Sequence, residues 1–211
     1  DGVEIVDIFN TDGKYNIIGT VKCWNDTKPV TVEVYKDGET TPMYTFTSSD
    51  TDDAGNNLYG VLTKTTKKGE CEWNFELPVS NQFSYKMIVK KQSHLTYPEI
   101  TIDKANADSD AKLTLADTIE MIVGDINGDE IIKLPDRAEL MRFFNRQKPW
   151  ALDIARFEAA DLNGDGAVNM FDLTLLKRNM EKIYPSNITK ANNSSYVGSY
   201  VGSGIASCGV S

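Results

Sequence analysis

Twelve residues, Asp161-Leu-Asn-Gly-Asp-Gly-Ala-Val-Asn-Met-Phe-Asp172, constrain this chain more than any other stretch. Oxygen-bearing side chains stand at loop positions 1, 3, 5, 9 and 12, and Gly166 stands at position 6. A hard cation such as calcium takes six to eight oxygens at about 2.3–2.6 Å, from a loop that turns sharply enough to surround it. Asp161, Asn163, Asp165 and Asp172 offer side-chain oxygens, Ala167 offers its carbonyl from position 7, and Asn169 offers a contact made directly or through water. An Asx-rich turn ahead of a helix uses the same residue types, because Asp, Asn and Gly favour turns on their own. The pattern, however, occurs twice. Thirty-six residues upstream stands Asp125-Ile-Asn-Gly-Asp-Glu-Ile-Ile-Lys-Leu-Pro-Asp136, with Asp125, Asn127, Asp129 and Asp136 at positions 1, 3, 5 and 12 and the Ile131 carbonyl at position 7. A duplicated loop, each copy followed by a helix-like apolar pattern, predicts two bound calcium ions. The first copy is the poorer one. Glu130 replaces the turn glycine and Lys133 puts a cation where a neutral or acidic group would help, so weaker binding is expected there.

Helices are expected around these loops. The first starts near Leu134–Pro135, since proline is tolerated in a first helical turn, and Leu140, Phe143 and Phe144 give it an apolar stripe. Pro149-Trp150 marks a break. A middle helix over about 151–160 carries Ile154, Ala155 and Phe157, and a last helix over about 171–183 carries Leu173, Leu175, Leu176, Met180 and Ile183. A module of about sixty residues is small for a stable core. Cations that bind only its folded state supply the missing stability.

The paired loops end in Asp, each is followed by a helix, and the helix that precedes an ordinary EF-hand loop is missing. In this the stretch from about 124 to 180 resembles a dockerin. Lys177-Arg178, five residues beyond the second loop, resembles the basic pair common on dockerin helices. The resemblance implies a non-catalytic module that binds a cohesin module, with calcium, and attaches its protein to a cellulosome-type scaffoldin of polysaccharide degradation or to a cell surface. It implies an extracellular protein of an anaerobic bacterium, monomeric before complex formation. It places partner contacts at Leu134, Pro135, Met141, Arg142 and Arg146 in the first copy. In the second copy the same positions are Met170, Phe171, Lys177, Arg178 and Lys182. Because the two sets differ, one binding orientation is expected, with the second copy as its driver. Core packing is the alternative for Met170 and Phe171.

Residues 1–118 read as an antiparallel β-sandwich. Val30, Val32 and Val34 alternate with Thr31, Glu33 and Tyr35; Cys71, Trp73, Phe75 and Leu77 alternate with polar residues; Phe83, Tyr85, Met87 and Val89 repeat the pattern. Period two marks strands buried on one face. Further strands are expected near 5–9, 17–24, 43–47, 58–63 and 99–103, giving about seven or eight in all. The order of strand, Leu-Pro, tyrosine strand, Lys-Lys-x-x-His and strand over 73–102 resembles the X modules found beside dockerins. Residues 104–118 are expected to end the sandwich. The short linker predicts modules that pack together. The dockerin-like module spans 119–185, and 186–211 is a Gly/Ser-rich flexible tail with a repeated Tyr-Val-Gly-Ser at Tyr196 and Tyr200.

The net charge of -9 argues against general nucleic-acid binding, which needs a basic surface. No apolar run approaches the ~20 residues of a membrane-spanning helix. Three cysteines make no disulfide scaffold; Cys23 and Cys71 are the two that a bond could join, and buried free thiols suit them equally. His94 is the sole histidine, with no recognisable nucleophile beside it, and reads as an ordinary loop or strand-end residue. Asp50, Asp52 and Asp53 read as a solvated acidic turn, with a further calcium site as the alternative. Trp24, Trp73 and the tyrosines are candidates to stack on sugar rings, although Trp73 lies in phase with core residues. A carbohydrate-binding or catalytic sandwich merely carried by the helical module is therefore a second reading. A calcium sensor is a third, weakened by the missing helix before Asp125.

Overall fold

The computed structural model describes residues 13–107, 111–147 and 153–184. Two sheets face each other. One contains β1 (Lys14–Trp24), β4 (Leu62–Lys64), β5 (Glu70–Ser80), β8 (Lys112–Thr114) and β9 (Ile119–Glu120). Its order is β4-β5-β1-β8, and β9 also pairs with β1. The other has the order β3-β2-β6-β7, with β2 at Val30–Lys36, β3 at Tyr44–Thr47, β6 at Tyr85–Lys91 and β7 at Ile100–Ile102. The alternation that signals these strands is what fills the space between them. Val30, Val32 and Val34 turn inward from one sheet, and Cys71, Trp73, Phe75 and Leu77 from the other. The outward residues pair across strands, as in Asn16 Nδ2 to Glu76 Oε1 at 2.7 Å and Thr20 Oγ1 to Asn74 Oδ1 at 2.7 Å.

Several expectations need correction. The first sheet is mixed rather than antiparallel, because β8 and β9 run parallel to β1. Residues 112–120 therefore end the sandwich as two short strands, β9 lying just beyond 118. Leu58 and Val61 lie outside any strand and are exposed; β4 starts only at Leu62. The strand expected at 5–9, the break at Trp150 and the tail from 186 lie outside the described residues. Cys23 and Cys71 are opposite partners on β1 and β5, buried, unbonded, with their sulfurs 3.1 Å apart.

The second module contains α1 (Leu134–Phe143), α2 (Ile154–Ala160) and α3 (Met170–Asn179). It is not wholly helical. Two-residue strands, β10 (Arg146–Gln147) and β11 (Ala167–Val168), pair antiparallel. Its two halves are tied to each other by matching bonds. After α1, Asn145 takes a positive φ of 58° and its N–H donates to the Val168 carbonyl at 2.8 Å. After α3, Glu181 takes a φ of 63° and its N–H donates to the Ile132 carbonyl at 3.0 Å. Each helix thus ends on the other half's loop. This early stop leaves Ile183, expected on the last helix, exposed beyond it.

The two modules are joined without a free linker. Met121 N–H extends the β1 ladder to Lys22 O, Leu95 N–H donates to Ile122 O, and Gly124 N–H donates to Ser93 O at 2.7 Å. Leu140, Phe143, Phe157, Leu162, Leu173 and Leu176 form the helical core, and Trp24 and Leu95 of the sandwich complete it. A module too small to bury much apolar surface alone is covered by its neighbour. Tyr184 closes the far side, accepting from Ile122 N–H at 2.9 Å and lying against the Tyr97 ring.

Candidate functional site

Each loop is shaped by its own carboxylates. In the second, Asp172 Oδ1 accepts from Leu162 N–H at 2.9 Å and Asn163 N–H at 3.2 Å, while Oδ2 accepts from Asn169 N–H at 2.9 Å. In the first, Asp136 makes the same three bonds to Ile126 (2.8 Å), Asn127 (3.2 Å) and Lys133 (2.8 Å). Position 12 therefore reaches across the loop to positions 2, 3 and 9. Position 1 does the converse. Asp125 accepts from the N–H groups of Gly128, Asp129 and Glu130, and Asp161 from those of Asp165 and Gly166. Asn127 and Asn163 each donate from Nδ2 to the aspartate at position 5, at 2.9 and 3.0 Å.

Burial makes these acids costly. Asp125, Asp136, Asp161 and Asp172 are all buried. Burial pushes Asp172 up to about 6, with Asp161 and Asp165 adding repulsion against the bonds from Asn169 and Asn163. Asp125 and Asp161 are raised for the same leading reason. Burial also pushes Asp165 up, but bonds from Lys68 and Asn163 outweigh it and hold its carboxyl below the ordinary range.

The donor set fits a hard divalent cation. It is all oxygen, each loop has three aspartates in its sequence, and Oδ2 of Asp136 and of Asp172, each bonded to one N–H, keeps a second lone pair. Among the described residues no group of three or more His, Cys, Asp or Glu side chains is placed to hold a metal. Asn169 is already engaged. Its Oδ1 caps α3 by accepting from Phe171 N–H at 2.8 Å.

Of the anticipated partner contacts, Leu134 (66 % exposed), Met170 (61 %) and Met141 (45 %) are bare apolar side chains. Pro135, Arg142, Arg146, Lys177, Arg178 and Lys182 are exposed as well. Phe171 is not free. It is half-buried, 6.0 Å from the Trp24 ring, with the Lys68 ammonium 5.9 Å over its face. The Arg178 guanidinium lies 5.5 Å over Trp24.

The sequence reading missed the sandwich's hold on the loops. Asn25 Nδ2 donates to the Asp161 carbonyl at 2.8 Å, and Lys68 Nζ lies 2.9 Å from Asp165 Oδ2. A Cβ added to Gly69 would stand 2.6 Å from the Asn163 carbonyl, and one added to Gly164 2.6 Å from the Asn25 side-chain Oδ1, so neither position has room for a side chain. Glu130 also proves useful. With a φ of 64°, its carboxylate accepts from Thr96 N–H at 2.8 Å and Oγ1 at 2.5 Å.

His94 uses both ring nitrogens on backbone. Nε2 accepts from Trp24 N–H at 3.1 Å, and Nδ1–H donates to Gln92 O at 2.8 Å. Burial, then the Lys91 charge, push its pKa down to about 3 despite the Gln92 bond. Asp52 folds its acidic turn by accepting from Ala54 and Asn56. Trp73 is fully buried and Trp24 nearly so, and neither offers a face to a sugar.

Residues 123–181 match the family model of the dockerin type I domain, the same resemblance that the two loops carry in the sequence. No curated protein matches the chain significantly. Two solved structures from Acetivibrio cellulolyticus are similar, a C-terminal and an N-terminal interface mutant of a type II cohesin–X-dockerin complex. They share 22% identity, with TM-scores of 0.48 and 0.44, over 80% and 78% of this chain and 97% of theirs.

Proposed function

We propose that residues 123–181 bind a cohesin module in a calcium-dependent manner and anchor the protein, outside the cell, to a cellulosome-type scaffoldin or cell surface. The sandwich is the structural partner of that module and carries no reaction. The observation that supports this reading is the repeated loop: three carboxylate bonds from position 12 and two from position 1 recur 36 residues apart, inside the segment that matches a dockerin model. Calcium, when bound, supplies the positive charge that the buried acids lack. Asp125, Asn127, Asp129, Ile131 and Asp136 would hold one ion, and Asp161, Asn163, Asp165, Ala167, Asn169 and Asp172 the other.

The partner face is apolar with a cationic rim. Leu134, Met141 and Met170 are the anchors, and Arg142, Arg146, Lys177 and Lys182 set approach and specificity. Since Phe171 packs on Trp24, Met170 carries the second copy's apolar contact. The test is calorimetric titration of the whole chain against a panel of cohesins, with calcium and with excess chelator. Tight binding lost on chelation is expected. Binding that survives chelation, or calcium uptake without binding to any cohesin, rejects the reading.

A further inference from the structure

The two loops are not held alike by the sandwich. At the first, the hold is on Glu130, a position outside the oxygen donors. At the second, the sandwich touches four of five successive residues: Asp161 through Asn25, Asn163 through Gly69, Gly164 through Asn25 and Asp165 through Lys68. Three of these four are in the donor set. Gly69 and Gly164 pack so close to Asn163 and Asn25 that neither position has room for a Cβ, which ties the path of the loop to the sandwich. The contact at Lys68 is electrostatic. It puts a fixed positive charge 2.9 Å from a carboxylate oxygen on which a divalent cation would draw.

We propose that the second loop is a composite cation site reaching into the sandwich. Asn25 and Gly69 position its backbone, Lys68 lowers its affinity, and cation uptake there is linked to the seating of the two modules. The inference rests on the calcium reading above and goes beyond it by assigning roles to residues outside the matched segment. Linkage makes the coupling reciprocal: whatever seats the modules tightens the cation, and the cation seats the modules. Since the Lys68 side chain is 64% exposed, solvent screens it, and its effect is a few-fold change that salt weakens.

The test uses the full chain, labelled with 15N and titrated with calcium after chelator treatment. The Gly166 amide reports the second loop, the Gly128 amide the first, and the Trp24 indole the seating of the modules. In the unaltered protein Gly166 and Trp24 should move with one midpoint. Lys68→Gln should tighten the Gly166 midpoint about three- to tenfold at low salt and leave Gly128 unchanged. Asn25→Gly keeps the positive φ but removes the bond to Asp161, and should weaken the Gly166 midpoint by a similar factor. The inference is overturned if both variants titrate like the unaltered protein, or if Trp24 stays still while Gly166 moves. If neither glycine responds to calcium, the calcium reading itself fails and this inference falls with it.

Discussion

Trp24, the last residue of β1, and Phe171, the second residue of α3, lie with ring centroids 6.0 Å apart and planes tilted by 51°. One belongs to the sandwich and the other to the loop–helix repeat, so their contact is where the two folds become one. Deleting a buried aromatic leaves a cavity that the surroundings fill only in part. Trp24→Ala should cost about 3 kcal/mol or more. Urea unfolding followed by tryptophan fluorescence and by helical circular dichroism should separate into two transitions, where the unaltered protein shows one.

Calcium uptake by the second loop should fall with acid. Burial pushes Asp172 up to about 6. The cation binds the carboxylate, so below pH ~6 binding must displace a proton and affinity drops by about tenfold per pH unit. Titrations at several pH values, with proton release measured by changing the buffer's ionisation enthalpy, check this. A flat affinity between pH 7 and pH 5 would rule it out.

His94 should stay neutral through the acid range. Its folded pKa of about 3 lies below its unfolded value, so the unfolded chain binds the extra proton. The stability this contributes is fully present above the unfolded pKa near 6.5 and is lost as pH falls from there towards 3. The ring-nitrogen chemical shifts should report the Nδ1–H tautomer at pH 5. An imidazolium signal from the folded protein at that pH contradicts the assignment.

Glu130→Gly sets two effects against each other. Glycine relieves a left-handed residue, by about 1–2 kcal/mol. It also removes two bonds from Thr96 to a carboxylate, each contributing about 1 kcal/mol where solvent is near. The melting temperature should therefore barely change. Hydrogen exchange at the Thr96 amide should instead quicken, because its acceptor is gone. Unchanged protection at Thr96 would mean that the carboxylate does not hold this turn.

The loops were legible because their information is local. Twelve residues with oxygens at fixed offsets encode the turn, and Asp172 reaching back to Leu162 N–H stays within that window. The valine alternation of β2 is equally local. The junction was not legible. Asn25 meets Asp161 across 136 positions, and nothing periodic announces such a pair. β8 and β9 were missed because three and two residues carry too little alternation to separate a strand from a linker. For Met170 and Phe171 the sequence leaves partner contact and core packing both open. In α3 their directions differ, and only Met170 is left bare.

The direction of β8 and β9 along β1 has a mechanical consequence. A chain held ahead of β1 and pulled through the second module is loaded at the start of β1 and the end of β9. These strands run parallel, so the pull slides one along the other. The rungs at Asn16–Lys112, Ile17–Leu113 and Ile18–Thr114 then share the tension with those at Val21–Ile119 and Lys22–Glu120. A pair peeled from one end breaks its rungs in turn; a pair in shear must break them together. Rupture under load is governed by the unfolding barrier. The same few short strands that are hardest to find in the sequence are thus the ones whose direction sets how the sandwich resists being stretched.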